Sequence, residues 1–376
     1  MNANKFFFLS LILLCVQCSD IIAQQGNERY IQFIYASDSH YGLFREFRGN
    51  PRVSSGEVNQ AMLKSIQQVQ QTIFPEDGGV RSGELAGGMD FVVNTGEIAN
   101  RMEEGVQTAA ASWEEFEAGW IQSLTVCKAD STKAPLYLLP GNHDVSNAIG
   151  YTKNMIPRKD PTALVEIYNR MMKPVNRQTN QTYSYSAGRV NYSFDIKGIH
   201  FAFVGMWPDS QGRKWLTADL QSRRGPCLLF THDEPDVEAK HLTNPNGNHR
   251  INSTDKFENL LSDTGSVRSV KLKPLKEHRE LAAFIKSNPS IKAYFHGNSN
   301  WNEFYVWKGP DNNIALPVFR VDSPMKGEIS STDESALSFQ VAVIDVLTHR
   351  MTVRECLWNK NCGRSLVWGE SKTISW

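Results

Sequence analysis

An α/β fold is predicted by three features of this sequence. Strand-like and helix-like segments alternate through the first half, the second half is richer in strands, and five short apolar runs each end in residues of metal-ligand type. The runs are Ile31–Ala36 before Ser37-Asp38-Ser39-His40, Phe91–Val93 before Thr95-Gly96-Glu97, Pro135–Leu139 before Gly141-Asn142-His143-Asp144, Leu228–Phe230 before Thr231-His232-Asp233, and Ile291–Phe295 before His296-Gly297-Asn298-Ser299-Asn300. In an α/β sheet the carboxyl ends of strands converge on one crevice, so strands distant in sequence can aim their last residues at one point. A lone strand ending in Asp or His reads as a turn. Five in succession read as one site.

The elements follow in order. Val58–Phe74 places Met62, Ile66, Val69 and Ile73 at helical spacing and stops at Pro75 and the turn Asp77-Gly78-Gly79. Further helices are predicted around Trp113–Cys127 and Thr162–Met172. Glycine turns at Gly188 and Gly198 separate three strands, Thr182–Ser186, Arg189–Ile196 and Ile199–Val204. Asn244–Gly265 is polar and reads as a surface excursion near the site, and a helix over Lys276–Ser287 leads into the fifth run. Trp301, Phe304, Tyr305 and Trp307 suggest a half-buried strand, and Ala315–Val321, Ser338–Val346 and Met351–Leu357 complete a second sheet. With no repeat and no linker-like tract, residues 28–376 are expected to form a single domain.

Composition narrows the function. The chain has 40 basic and 40 acidic residues and 40% hydrophobic content, enough for a buried core. Residues 1–23 contain only Lys5 and Asp20 among these charges, so the balance survives their removal. With neither a basic excess nor a basic stripe, nucleic acid is not expected as a partner. Lys5, the apolar stretch Phe6–Val16 and the polar stretch after it fit a signal peptide over residues 1–23, cleaved after Ala23. The apolar part is too short for an ordinary span, and no later run approaches one, so no transmembrane segment is expected in the mature chain. Export to a periplasmic or secreted location follows, with lipid anchoring through Cys18 as the alternative. Of the remaining cysteines, Cys127, Cys227, Cys356 and Cys362, the last two are close enough to close a small loop, and the other reading is four free thiols.

The order Asp-x-His, Gly-Glu, Gly-Asn-His-Asp, His, Gly-Asn-x-Asn resembles the calcineurin-like metallophosphoesterases over residues 30–321. The resemblance implies a four-layer α/β/β/α sandwich whose loops hold two divalent metal ions. Carried over residue by residue, Asp38 and His40 would bind the first metal and Glu97 stands where the family has a bridging Asp. Asn142 and His232 would bind the second, and Asn298 and Asn300 would each supply one ligand. His143 becomes the acid or phosphate-contacting residue, oriented by Asp144. Such a metal pair activates water and stabilises an in-line displacement, so no protein nucleophile is needed. The implied activity is an exported metal-dependent phosphoesterase acting on a small-molecule phosphomonoester or phosphodiester. The alternative is a member without turnover that binds a phosphate or glycan ligand at the cell surface.

Two departures from the family pattern concern the ligands themselves. Glu97 carries an extra methylene, and asparagines replace both histidines of the last motif. Amide oxygens are harder, weaker donors than imidazole, which moves the expected ion from Zn or Fe towards Mn, Mg or Ca, or removes one ion. His296 could substitute if its loop slipped by a residue. Elsewhere, Tyr41, Arg45 and Arg48 follow the first motif, His241 and His249 lie in the loop after His232, and Arg320 and Lys326 sit on a segment that could wall the substrate side. His278 is expected at the surface, and His200 and His349 in structural roles.

Overall fold

The structure, a computed structural model, describes residues 29–99, 107–145, 160–184, 187–223, 225–238 and 275–376. The predicted leader with Cys18, His241, His249 and the Asn244–Gly265 loop lie outside these residues. The first two apolar runs become β1 (Tyr30–Ala36) and β4 (Phe91–Asn94), which pair in parallel with Ala36 opposite Asn94. The third becomes β5 (Leu136–Leu138), parallel to β4 with Leu138 opposite Asn94. On the other side of β1 lie β12 (Ser338–Asp345), β13 (Arg350–Leu357) and β14 (Val367–Ser375), giving a six-stranded sheet in the order β14-β13-β12-β1-β4-β5.

A second six-stranded sheet runs β10-β11-β9-β8-β7-β6. Its parallel centre is β7 (Ile199–Val204), β8 (Cys227–Phe230), β9 (Ile291–His296) and β11 (Leu316–Arg320), flanked by antiparallel β6 (Asn191–Ile196) and β10 (Glu303–Trp307). Alternate residues of the two sheets meet as aromatic rings. Phe33 on β1 stacks on Phe91 at 4.8 Å and meets Phe201, Phe230 and Phe295 of the second sheet edge-on at 5.6–6.1 Å. Each such pair contributes about 0.5–1.5 kcal/mol beyond its buried area, so the ring layer pins one sheet over the other. All eight residues of β12 and six of seven in β1 are buried, as expected of strands covered on both faces. The result is the four-layer α/β/β/α sandwich.

Helix α1 (Ser55–Gln68) begins at a capping box in which Ser54 accepts from Glu57 N, and it buries Val58, Met62, Leu63 and Ile66. It ends earlier than the spacing predicts. A 3₁₀ turn, Val69–Gln71, leads to extended Thr72, and Ile73 is left exposed. The helix predicted around Trp113–Cys127 is α2 (Ala109–Phe116) continued by a π-helical segment, Glu117–Ser123, and closed by extended Leu124. Helix α3 (Asn142–Val145) is a single turn, and α4 (Thr162–Met172) matches its predicted bounds, ending at Lys173 in the left-handed region. Helices α5 (Ser210–Leu220) and α6 (Leu275–Ser287) follow.

Other expectations are corrected. Thr182–Ser184 do not form a strand, because Thr179 O accepts from both Thr182 N and Tyr183 N and closes a turn. Residues after the first motif form a hairpin of β2 (Phe44–Phe47) and β3 (Asn50–Ser54), with Arg48 and Gly49 both at positive φ as a two-residue hairpin turn requires. Cys356 is buried on β13 while Cys362 is exposed, and both are free, as are Cys127 and Cys227. His278 is buried rather than at the surface, with Nε2 2.9 Å from Val237 O. His200 does have a structural role, between Asp195 at 2.9 Å and Asp219 at 2.7 Å.

Candidate metal centre

The loops after β1, β4, β5, β8 and β9 meet at one edge of the sandwich and are cross-linked through their backbones. Asp38 N donates to Gly96 O and His40 N to Glu97 O, both at 2.8 Å, and Gly297 N donates to His232 O at 3.0 Å. Asn298 N then bridges the two sheets by donating to both oxygens of Asp38, at 3.2 and 3.0 Å. Asp38, His40, Glu97, Asn298 and Asn300 all adopt positive φ, between 45° and 64°. Left-handed backbone is costly for residues other than glycine and persists where surroundings over-determine it. Glycines make the crowding tolerable. A Cβ on Gly141 would lie 2.5 Å from Glu97 Cγ and 2.7 Å from His232 Cε1, and one on Gly297 would strike Asp38 Oδ2.

Glu97 is the hub. Its carboxylate lies 2.6 Å from His40 Nε2, 3.4 Å from His143 Nε2 and 3.7 Å from His232 Nε2, with Asp38 Oδ1 4.0 Å from His40 Nε2. The extra methylene of Glu97 is therefore accommodated, by the left-handed backbone of its own residue and the missing side chain at Gly141. His232 Nδ1 is set against Thr95 O at 2.9 Å, which leaves Nε2 facing inward beside Asn142 Oδ1 at 3.1 Å. His143 packs edge-on against His40, with ring centroids 5.1 Å apart.

The electrostatics follow from burying two carboxylates among imidazoles. Burial and the neighbouring charge of Glu97 push the Asp38 carboxyl well above its usual range. Burial opposes ionisation of Glu97 too, but His143, His40 and His232 hold its carboxyl well below the usual range. His232 is raised to about 10, burial being outweighed by Glu97 and Asp38. Burial and the charge of Lys326 lower His40 to about 4. A cation bound among these groups would compete with protons for the same carboxylate and imidazole atoms.

The donor set fits a divalent ion. Asp38, Glu97 and His232 each offer an atom within 4.8 Å of the others. His40 Nε2 and Glu97 Oε2 have each other as ion-pair partners at 2.6 Å, whereas His40 Nδ1 and Asn300 Oδ1 are buried with no hydrogen-bond partner among the described residues. Buried polar atoms without partners are rare and point to a missing ligand. Asn142 lies beside this group through His232, and Asn298 and Asn300 stand on the far loop.

Several residues sit differently from expectation. Asp144 accepts from Gly141 N at 2.9 Å, Ile98 N at 3.2 Å and Ala99 N at 2.9 Å, fastening the Gly-Asn-His-Asp turn to the Glu97 loop. His296 does not substitute for a lost histidine, being held by Gly297 O at 2.8 Å and Tyr305 Oη at 3.0 Å. Tyr41 is buried against Phe116. Arg45 donates to Pro324 O at 2.7 Å and to Ser330 O, and Arg48 to Asn359 Oδ1 at 2.8 Å, so both serve the fold. Arg320 pairs with Glu303 at 2.7 Å and lies 3.8 Å over the Trp301 ring, leaving Lys326 as the exposed cation of that segment. Sequence reasoning missed Glu234, which accepts from Asn298 Nδ2 at 3.0 Å and Ser299 Oγ at 3.1 Å. Its position two residues after His232 was the available signal.

No curated protein matches the sequence. Solved structures to which the chain is similar include a purple acid phosphatase from yellow lupin (Lupinus luteus) seeds, at 10% identity and a TM-score of 0.45, covering 92% of this chain and 54% of that one. A putative 5'-nucleotidase from Staphylococcus aureus has 10% identity, a TM-score of 0.37 and the same coverages. A predicted phosphoesterase from Streptococcus pneumoniae has 8% identity and a TM-score of 0.32, covering 92% of this chain and 98% of that one. This chain thus spans about half the length of the lupin and staphylococcal proteins. The family model for calcineurin-like phosphoesterases matches residues 31–297, which contain the carboxyl end of every strand that leads to the candidate centre. With that match over well more than half of its 376 residues, the chain belongs to the calcineurin-like phosphoesterase family.

Proposed function

We propose that this protein is an exported metal-dependent phosphoesterase that hydrolyses a phosphomonoester or phosphodiester with water as the nucleophile. The observation that carries this reading is the convergence of buried Asp38, Glu97 and His232 atoms within 4.8 Å of one another, with His40 Nε2 2.6 Å from Glu97. Asp38, His40, Glu97, Asn142 and His232 would hold divalent ions, with Asn298 and Asn300 completing the shell. The oxygen-rich set favours Mn²⁺, Mg²⁺ or Ca²⁺. Bound ions would polarise the phosphoryl oxygen and acidify a water.

The chain's own residues supply the rest. His143, with Nε2 3.4 Å from Glu97, would give a proton to the departing oxygen. Asp144 keeps His143 in place by locking its turn. Ser323 Oγ donates to Asp38 O at 2.8 Å and accepts from Lys326 N at 3.0 Å, so Lys326 rides on a turn tied to the first metal loop and brings a positive charge to the phosphate side. Residues 1–23 would direct export, and residues 28–376 would act as one domain. The test is hydrolysis of aryl phosphomonoester and phosphodiester substrates by purified protein with each divalent ion, beside Asp38→Ala and His143→Ala variants. Metal-dependent turnover lost in both variants is the expected result. Rates equal to the variants with every ion would overturn it and favour a binding role.

A further inference from the structure

We infer that Glu234 is a positioning residue for metal binding, which turns the Asn298 amide so that its oxygen is available as a ligand. The inference rests on the metallophosphoesterase reading and concerns how a site with asparagines in its last motif can still bind. An asparagine offers one acceptor and one donor end, and only the acceptor can face a cation. Orientation therefore decides whether Asn298 and Asn300 help or harm. Glu234 is 9% exposed, and its Oε2 receives Asn298 Nδ2 at 3.0 Å. An ionised carboxylate only accepts, so the amide end that faces it must be the NH₂, which leaves Oδ1 on the other branch of the planar amide. The backbone N of the same residue is already bonded to Asp38, which holds Asn298 against the first metal loop.

Asn300 shows the same arrangement independently. Its Nδ2 donates to Asn298 O at 2.6 Å, and its Oδ1 is buried with no hydrogen-bond partner among the described residues. Both donor ends are thus committed to acceptors within the protein. Glu234 also receives Ser299 Oγ at 3.1 Å, so one carboxylate fixes the middle of the motif as well. Left-handed backbone at Asn298 and Asn300 suits asparagine better than most residues.

The test is calorimetric titration of the chelator-treated, full-length mature protein with Mn²⁺, comparing wild type, Glu234→Gln, Glu234→Ala, Asn298→Ala and the Glu234→Gln/Asn298→Ala double variant. Outer-shell partners of metal ligands are worth about 10–100-fold in affinity, so Glu234→Gln and Asn298→Ala should each weaken binding about tenfold or more. In the Asn298→Ala background the Gln substitution should change affinity by less than about twofold, because its effect passes through that amide. Glu234→Gln keeps the side-chain shape, and the melting temperature of the metal-free protein checks that folding is intact. Binding by both Glu234 variants within about twofold of wild type, or an undiminished Gln effect in the Asn298→Ala background, would overturn the inference. A wild-type protein that takes up neither Mn²⁺ nor Zn²⁺ would overturn the metallophosphoesterase reading itself, and this inference with it.

Discussion

Glu97→Gln in the metal-free protein probes the hub most directly. The substitution keeps the shape of a side chain that is 1% exposed and removes a charge that faces three imidazoles at 2.6, 3.4 and 3.7 Å. Breaking a buried ion pair by removing one partner costs about 3–5 kcal/mol. A chain of this length unfolds with an entropy on the order of 0.7–0.8 kcal/mol per kelvin, so the melting temperature at neutral pH should fall by about 4–7 °C. The pH dependence has a definite sign. His232 is raised to about 10, burial being outweighed by Glu97, so it contributes stability that is complete below its ordinary value of 6.5 and disappears as pH rises through about 10. Thermal melts of chelator-treated wild type and variant should therefore differ most near pH 6.5 and converge towards pH 10. Equal melting temperatures at pH 6.5, or a gap that stays constant up to pH 10, would refute the charged-hub account.

Two further perturbations test the frame around the site. Gly297→Ala places a methyl group against Asp38 Oδ2 and the Ser37 side chain, an overpacking expected to cost about 1–3 kcal/mol in thermal melts and to weaken Mn²⁺ binding in titration. Unchanged melting and affinity would show that the loop yields freely. Arg354→Met removes a fully buried guanidinium that grips Asp77 at 2.8 and 2.9 Å and Val80 O at 2.9 Å, so urea unfolding should show a loss of about 1.5–3 kcal/mol, the range for hydrogen bonds to a charged group, since Asp77 itself reaches solvent. A loss under 1 kcal/mol would mean that the methionine packs as well as the pair it replaces.

The parts of the fold that were legible are those where burial alone shapes the sequence. β1, β4, β8 and β9 are short and buried on both faces, so they read as apolar runs, and their carboxyl ends gave the site its residues. The β2–β3 hairpin was hidden because Pro51 lies within β3 and Arg48, not Asn or Asp, begins the turn. Helix α5 buries only Gly212, Leu216 and Leu220, too few to give a periodic signal, although Asp209 caps it by accepting from Gly212 N at 2.7 Å. At the site, ligand types and order were readable, but roles fixed by hydrogen-bond geometry were not. The turn-fastening role of Asp144 and the contact of Glu234 with Asn298 depend on which atoms meet across loops far apart in the chain.

The positive φ values argue that the centre is built before any ion arrives. Five candidate ligands, Asp38, His40, Glu97, Asn298 and Asn300, occupy left-handed backbone, which Asn, Asp and His tolerate better than most residues and which is least favourable at Glu97. Each loop that carries them is held by bonds that need no metal: Asp38 N to Gly96 O, His40 N to Glu97 O, Asn298 N to Asp38, and Glu328 N to Asn300 O at 2.7 Å. The ring layer between the sheets anchors the strands from which these loops depart. Folding thus meets the conformational cost of the loops in advance, before any cation competes with protons for the ligand atoms. On this argument the asparagine-containing motif lowers the donor strength of the site without loosening its geometry, because Glu234 and the backbone supply the order that imidazole rings would otherwise share.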